Sequence, residues 1–193
     1  MDKTLIRNHM ITMLNKITRK EYNQLSLAIK DRLVTSTEFS KAEIIGITIS
    51  RFPEVDTRPI IEAAWALGKQ VAVPKCNRQT KAMDFRLLKS FENLEVVFLN
   101  LREPIISETK SVPVDEIDLQ IVPGVVYSDS GYRIGFGGGY YDRYMLDFQG
   151  DSLSLAFQCQ TGKLVPVEEH DIPIEKIFTE SGIIYCRKGD NSE

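Results

Sequence analysis

Between Gly131 and Gly139 the chain gathers five of its twelve glycines into nine residues, in the stretch GYRIGFGGGYYDRY. Glycine is costly to order and contributes nothing to packing. A cluster this dense therefore marks a place where the backbone must turn sharply or approach something closely. Its flanks restrict the fold further. The run DLQIVPGVVY (Asp118–Tyr127) precedes it and YYDRYMLDF follows it. The first reads as a strand buried on both faces, with Pro-Gly at its exit, and the second as a helix. A strand–glycine loop–helix unit of this kind belongs to a sheet covered by helices.

The rest of the chain repeats that alternation. Ile6, Met10, Met13, Leu14 and Ile17 recur at helical spacing, as do Leu25, Ile29 and Leu33, after which Ser36 and Thr37 break the pattern. AEIIGITIS (Ala42–Ser50) then reads as a strand buried on both faces, and RFPEVDT (Arg51–Thr57) as a loop. Pro59–Leu67 reads as a helix with proline in its first turn, Thr57 as its cap and Gly68 as its stop. QVAVPK, DFRLL, SLSLAFQCQ and GIIYC read as further strands, EVVFL fits strand or helix, and RKGDNSE as a loose tail. The expected fold is α/β, a mostly parallel sheet flanked by helices, forming one domain over residues 1–193. In such sheets ligands sit beyond the carboxyl ends of the strands, which is where the glycine stretch falls.

Composition excludes several classes. The net charge of -3 gives no basic field for nucleic acid or an anionic membrane. No apolar run reaches the roughly 18 residues that a membrane helix needs. The amino terminus, MDKTLIRNHM, lacks the apolar core of a secretion signal. Three cysteines without CxxC spacing suit a reducing compartment, so a cytoplasmic location is expected.

Two common phosphate motifs fail on inspection. No Lys-Ser or Lys-Thr pair follows the glycines, so this is no P-loop. Gly135 and Gly137 begin a GxGxxG pattern, but Tyr140 stands where its last glycine should be. What survives is the underlying physics. Bared main-chain amides and the start of a helix make an anion cradle, and Arg133 adds a forked cation that suits phosphate oxygens. Asp142, in the first turn of the following helix, could hold a metal that neutralises the same phosphates. Of Tyr140 and Tyr141, one should pack in the core and the other line a pocket wall. Lys3 and Arg7 share a helix face. Glu54, with the capping role left to Thr57, is free for another task. Asp171 is a weaker metal candidate in the cluster Glu168–Asp171, where a single histidine argues against zinc. Two histidines and no GxSxG leave no serine or cysteine hydrolase arrangement to defend.

Taken together, IVPGVVYSDSGYRIGFGGGYYDRYM resembles the signature of the 5-formyltetrahydrofolate cyclo-ligase family, a strand ending in VPG followed by G-x-R-[IL]-G-x-G-x-G-Y-Y-D. Other family elements recur in order: Lys3 and Arg7, the acidic segment PEVDT, the pair Glu103-Pro104, and VPVEEHD (Val165–Asp171). Phe136 and the strand exit ITISRF depart from common family residues at places not expected to be essential.

The resemblance implies a NagB/RpiA/CoA-transferase-like three-layer α/β architecture. It also implies a ligase that uses ATP and Mg2+ to close 5-formyltetrahydrofolate into 5,10-methenyltetrahydrofolate. Carried over residue by residue, Lys3 and Arg7 would grip ATP phosphates. Arg133, Ile134, Gly135, Phe136, Gly137, Gly138, Gly139, Tyr140 and Tyr141 would wrap the triphosphate, with Arg133 and Tyr140 closest to the chemistry. Asp142 and Asp171 would hold Mg2+, and Glu54 and Tyr140 would contact the folate. The partners implied are a reduced folate and ATP, handled by a monomer, with no nucleic acid or membrane. A folate- or nucleotide-binding regulatory module and a sugar-phosphate isomerase are the competing readings. The intact cations weigh against the first, and the isomerase gives the amino-terminal basic pair no purpose.

Overall fold

The computed structural model describes residues 2–186; the tail expected to be loose, residues 187–193, lies outside them. In chain order the elements are α1 (Lys3–Leu14), α2 (Arg19–Val34), α3 (Thr37–Lys41), β1 (Ile44–Gly46), α4 (Arg58–Ala66), β2 (Gln70–Cys76), β3 (Met83–Leu87), β4 (Leu94–Val96), β5 (Arg102–Pro104), β6 (Lys110–Ser111), β7 (Leu119–Ile121), β8 (Val126–Tyr127), β9 (Arg133–Ile134), α5 (Tyr140–Tyr144), β10 (Asp151–Leu155), β11 (Lys176–Phe178) and β12 (Ile183–Tyr185). Eight strands form the central sheet in the order β12-β11-β10-β7-β1-β2-β3-β6. Its inner strands, from β11 through β10, β7 and β1 to β2, are parallel. β12 and β3 run antiparallel to these strands, and the edge strand β6 is antiparallel to β3.

The apolar strands are apolar because both faces of the sheet are covered. Ile45, Ile47, Val71, Val73, Leu119 and Ile121 point to one side, where the buried face of α2 (Tyr22, Ser26, Ile29, Leu33) and Ile60, Ile61 and Ala64 of α4 meet them. Ala72 and Val122 point to the other side, packed with Phe85, Met145 and Phe148. Each large aliphatic side chain enclosed this way contributes roughly 1.5–3 kcal/mol. Among the described residues no helix is long and apolar enough to cross a membrane.

Local chemistry explains where the elements begin. Thr18 and Glu21 form a reciprocal capping box at the start of α2. Ser36, expected only to break a helix, instead caps the short helix α3, its Oγ accepting from the Phe39 amide. Thr57 occupies the cap position of α4 but gives that helix no side-chain hydrogen bond. Its hydroxyl donates to the Thr48 carbonyl and accepts from the Ser50 amide, tying the exit of β1 together. The Arg58 amide is met by Asp56 Oδ1 instead.

The region around the glycines differs most from the expectation. Asp118–Tyr127 is not one strand. β7 ends at Ile121, and after Pro123-Gly124 the chain enters a separate antiparallel hairpin, β8–β9. Gly131 turns that hairpin at φ 86°, and a Cβ there would lie 2.0 Å from the Ile174 carbonyl oxygen. The helix after the glycines is also shorter than YYDRYMLDF suggested, with five residues in α5. So short a helix sums few peptide dipoles and adds little positive potential. Any anion cradle here must rest on loop amides and side-chain cations.

Candidate functional site

The glycine loop leaves β9 beyond the carboxyl ends of the parallel strands, and the elements around it bring most of the residues singled out above to one place. Arg133 starts on β9 and is only 8% exposed. One terminal nitrogen of its guanidinium donates to Asp142 Oδ1 at 2.9 Å, the other to the Ile172 carbonyl at 2.8 Å. Arg7, on the second turn of α1, donates its Nε to the Gly135 carbonyl at 2.7 Å. Lys3, one turn earlier, pairs with Asp171 at 2.8 Å and with Glu168 at 3.3 Å. Two cations from the amino terminus thus meet a turn more than a hundred residues away and a carboxylate 168 positions away. Burial alone would lower the Lys3 pKa, but its hydrogen bonds to Asp171 and Glu168 raise it above its ordinary value. Asp171 responds oppositely. Burial would raise its pKa, but Lys3 and the Glu168 amide hold it below the usual range.

The glycines divide by the reason each is glycine. Gly137 and Gly139 sit at φ 93° and 66°, in the left-handed region. A Cβ on Gly138 would fall 2.5 Å from the Tyr140 ring. At Gly135 neither reason applies: its φ is ordinary and a Cβ would meet nothing within 4 Å. The two tyrosines separate, and the one expected in the core is Tyr141. Tyr141 packs into the core face with Phe85, its hydroxyl buried and unpartnered among the described residues. Tyr140 stays partly exposed, with Lys81 Nζ 5.2 Å above its ring. Phe136 is 51% exposed, and Ile134 is buried in the core beneath the loop.

Glu54 follows β1 in the loop that also carries Arg51. The residue keeps some surface, but its carboxyl group is nearly enclosed, and that burial pushes its pKa up to about 7 against the opposing charge of Arg51. Its charge adds to the burial that holds the phenols of Tyr22, Tyr127 and Tyr141 above their ordinary range.

The structure also brings in residues the sequence reading gave no role. Cys76, at the end of β2, has its thiol pushed up to about 12 by burial and then by neighbouring Glu103. Glu103, quoted above only as part of a motif, joins Glu95 in holding Lys75. Alternation in β2 and β5 could have flagged these positions, but nothing local says that the two strands meet.

Glu168, His170 and Asp171 present ligand atoms within 4.8 Å of one another. Carboxylate oxygens of this kind suit a hard divalent cation. Asp142 is not part of that group; its carboxylate faces Arg133. Two surface hollows lie away from the glycine loop. One is at the amino-terminal ends of the strands, beside Glu38, Asp118 and Asp151; the other lies between α2 and Phe157.

Comparison with known proteins gives this geometry a context. The model of the 5-formyltetrahydrofolate cyclo-ligase family matches residues 1–180. The chain is 29% identical over 172 residues to the 5-formyltetrahydrofolate cyclo-ligase of Escherichia coli K12, covering 86% of this chain and 94% of that protein. It is 25% identical over 186 residues to the Mus musculus protein of the same name, covering 91% and 92%. The NMR structure of Aquifex aeolicus 5,10-methenyltetrahydrofolate synthetase superposes with a TM-score of 0.86 at 27% identity, covering 100% of this chain and 97% of that one. With the signature, the ordered motifs and the fold in agreement, the chain belongs to the 5-formyltetrahydrofolate cyclo-ligase family.

Proposed function

We propose that this chain converts 5-formyltetrahydrofolate to 5,10-methenyltetrahydrofolate, with ATP becoming ADP and phosphate. A formamide oxygen is a very poor leaving group. Moving the γ-phosphoryl of ATP onto it makes it a good one. The neighbouring folate nitrogen then attacks the activated carbon, and the oxygen departs with the phosphate. Phosphoryl transfer asks a protein mainly for positioning and charge neutralisation.

The observation that carries this reading is the gathering of Arg7 and Arg133 at the glycine loop and of Lys3 at the Glu168–Asp171 segment, which Arg133 joins to the loop through the Ile172 carbonyl, inside a chain matched to the family over residues 1–180. Gly135 supports it, because no contact within the protein accounts for its missing side chain. A phosphate lying against its amide would. In this assignment Arg133 and the loop from Ile134 to Tyr141 seat the triphosphate. Arg7 also orients the Gly135 carbonyl away from it, and Lys3 reaches the outer phosphates. Ile134 and Tyr141 act through packing. Tyr140 lies beside the formyl group, and Glu54 accepts from the N–H edge of the pterin, which a carboxylate can take in pairs.

Asp142 and Asp171 would hold Mg2+. Each carboxylate now faces a cation, Arg133 and Lys3 respectively, so Mg2+ would bind as these pairings are exchanged for contacts of the two cations with phosphate. Mg2+ would supply neutralisation of phosphate charge that the side chains leave incomplete. Enclosure of the site would keep water from consuming ATP. With small-molecule substrates only, the protein would act as a cytoplasmic monomer.

Purified protein mixed with 5-formyltetrahydrofolate and Mg-ATP should develop the absorbance of methenyltetrahydrofolate and release ADP in equal amount, with no band when ATP is omitted. Binding of both ligands without that product would make the chain a binding module instead.

A further inference from the structure

Two carboxylates and two cations beside the glycine loop form one chain of contacts. Arg133 donates one terminal nitrogen to Asp142 Oδ1 at 2.9 Å and the other to the Ile172 carbonyl at 2.8 Å, directly after Asp171. Lys3 Nζ donates to Asp171 Oδ2 at 2.8 Å, and the Glu168 amide donates to the same oxygen at 2.8 Å. Lys3 also lies 3.3 Å from Glu168. The two carboxylates assigned to the metal are thus matched by two positive charges within the protein itself.

The two cations are held very differently. The Arg133 side chain is 5% exposed and tied at both terminal nitrogens, so giving up Asp142 still leaves it fixed to Ile172. Lys3 sits at the start of α1, with its side chain 23% exposed, and among the described residues its ion pairs run only to Asp171 and Glu168. An ammonium on a flexible stem is a point charge that can change partner without rebuilding a forked geometry. Asp171 cannot follow it, because the Glu168 amide holds the same oxygen. Of the four groups, Lys3 is the one built to move.

A divalent cation approaching Asp171 meets an ammonium already bonded to it, and like charges that close repel. A triphosphate changes the balance. Its oxygens give Lys3 new anionic partners, and Asp171, left without its counter-ion, becomes a better ligand for the cation that the phosphates also attract.

We infer that Lys3 guards the metal position: in the free protein its ammonium blocks Asp171, and this chain takes up a divalent cation there only with a triphosphate in place. The coupling is reciprocal. If the nucleotide raises the affinity for the cation by moving Lys3, the cation raises the affinity for the nucleotide by the same factor. The inference rests on the assignment above of Asp171 to the metal and Lys3 to phosphate, and needs neither folate nor turnover.

Mn2+ is the probe, because it shares the oxygen ligands of Mg2+ and its unbound form can be counted by electron paramagnetic resonance. Titrated with Mn2+ alone, the full wild-type chain should bind weakly. Lys3→Met and Lys3→Gln should each bind Mn2+ on the order of tenfold more tightly, and Lys3→Met/Asp171→Asn should lose that gain. In calorimetry, Mn2+ should raise the affinity for the non-hydrolysable analogue adenylyl imidodiphosphate by a larger factor in the wild type than in Lys3→Met. Equal Mn2+ affinities in the wild type and both single variants, or a gain that survives Asp171→Asn, would overturn the inference. Cyclisation of 5-formyltetrahydrofolate by the wild type reports on the ligase reading separately. Gated Mn2+ binding without turnover would sink that reading and leave the guard standing; turnover with ungated binding would do the reverse.

Discussion

Gly135 isolates what the loop does from what the loop needs in order to fold. Its neighbours do not: Gly137 and Gly139 hold left-handed backbone, and Gly138 makes room for the Tyr140 ring. Valine at 138 would strike that ring whether or not phosphate binds, so it reports on packing. Alanine at 135 meets nothing within 4 Å in the free protein. Gly135→Ala should therefore leave unfolding free energy within about 0.5 kcal/mol of wild type, the usual range for a substitution that touches nothing. The KM for ATP should rise on the order of tenfold, since a methyl group would stand where phosphate must approach the amide. Urea melts and initial rates at varied ATP separate the two. An unchanged ATP KM would remove phosphate from this amide. The sequence showed the glycine cluster plainly, but not which glycine the fold itself leaves unexplained. That distinction depends on where Tyr140 and Arg7 point, and on a backbone φ at each position.

At the scale of elements, α1 is both a core helix and a strap. Met10 and Leu14 are buried, while Lys3 and Arg7 reach out to Asp171 and Gly135. The shared helix face of the two cations was readable from their spacing; their partners, in segments far down the chain, were not. Conversely, the continuous apolar run Asp118–Tyr127 concealed a break, because a buried strand and a buried hairpin arm carry the same residue types. The length of α5 was hidden for a related reason: Met145 and Phe148 are buried, so they kept the apolar pattern going after the helix had ended. Removing the strap at its tip separates its two duties. Lys3→Met breaks a partly exposed ion pair and should cost no more than about 1 kcal/mol of stability. Turnover at limiting ATP should fall at least about tenfold if the same ammonium serves the phosphates. A large loss of stability with an unchanged ATP KM, measured by urea melts and steady-state rates, would make the pair purely structural.

Across the whole molecule, the sheet decides where charge can be tolerated. Its two covered faces hold the apolar residues, and the enclosed charges collect beyond the carboxyl ends of the strands. Glu54 is the most exposed to this tension, because burial pushes its pKa from 4.5 up to about 7. A raised carboxylate pKa means that the folded state prefers the protonated form. Its contribution to stability is therefore fully present below about pH 4.5 and is lost as the pH rises through about 7. On the proposed assignment pterin binding needs the opposite form, since only the carboxylate offers two acceptor oxygens to the N–H edge. Folding and the proposed pterin contact would thus pull Glu54 in opposite directions over the same pH window. Wild-type affinity for 5-formyltetrahydrofolate should fall as the pH drops below about 7, even as the contribution of Glu54 to stability grows. Glu54→Gln should bind folate more weakly at high pH, should lack that acid limb, and should remove the part of the stability–pH slope between about 4.5 and about 7 that comes from this group. Calorimetric folate affinities and thermal melts of both proteins across that range provide the check. An acid limb that persists in the glutamine variant would assign the titration to another group, and a slope identical in the two proteins would mean that the Glu54 carboxyl is better solvated than its surroundings suggest.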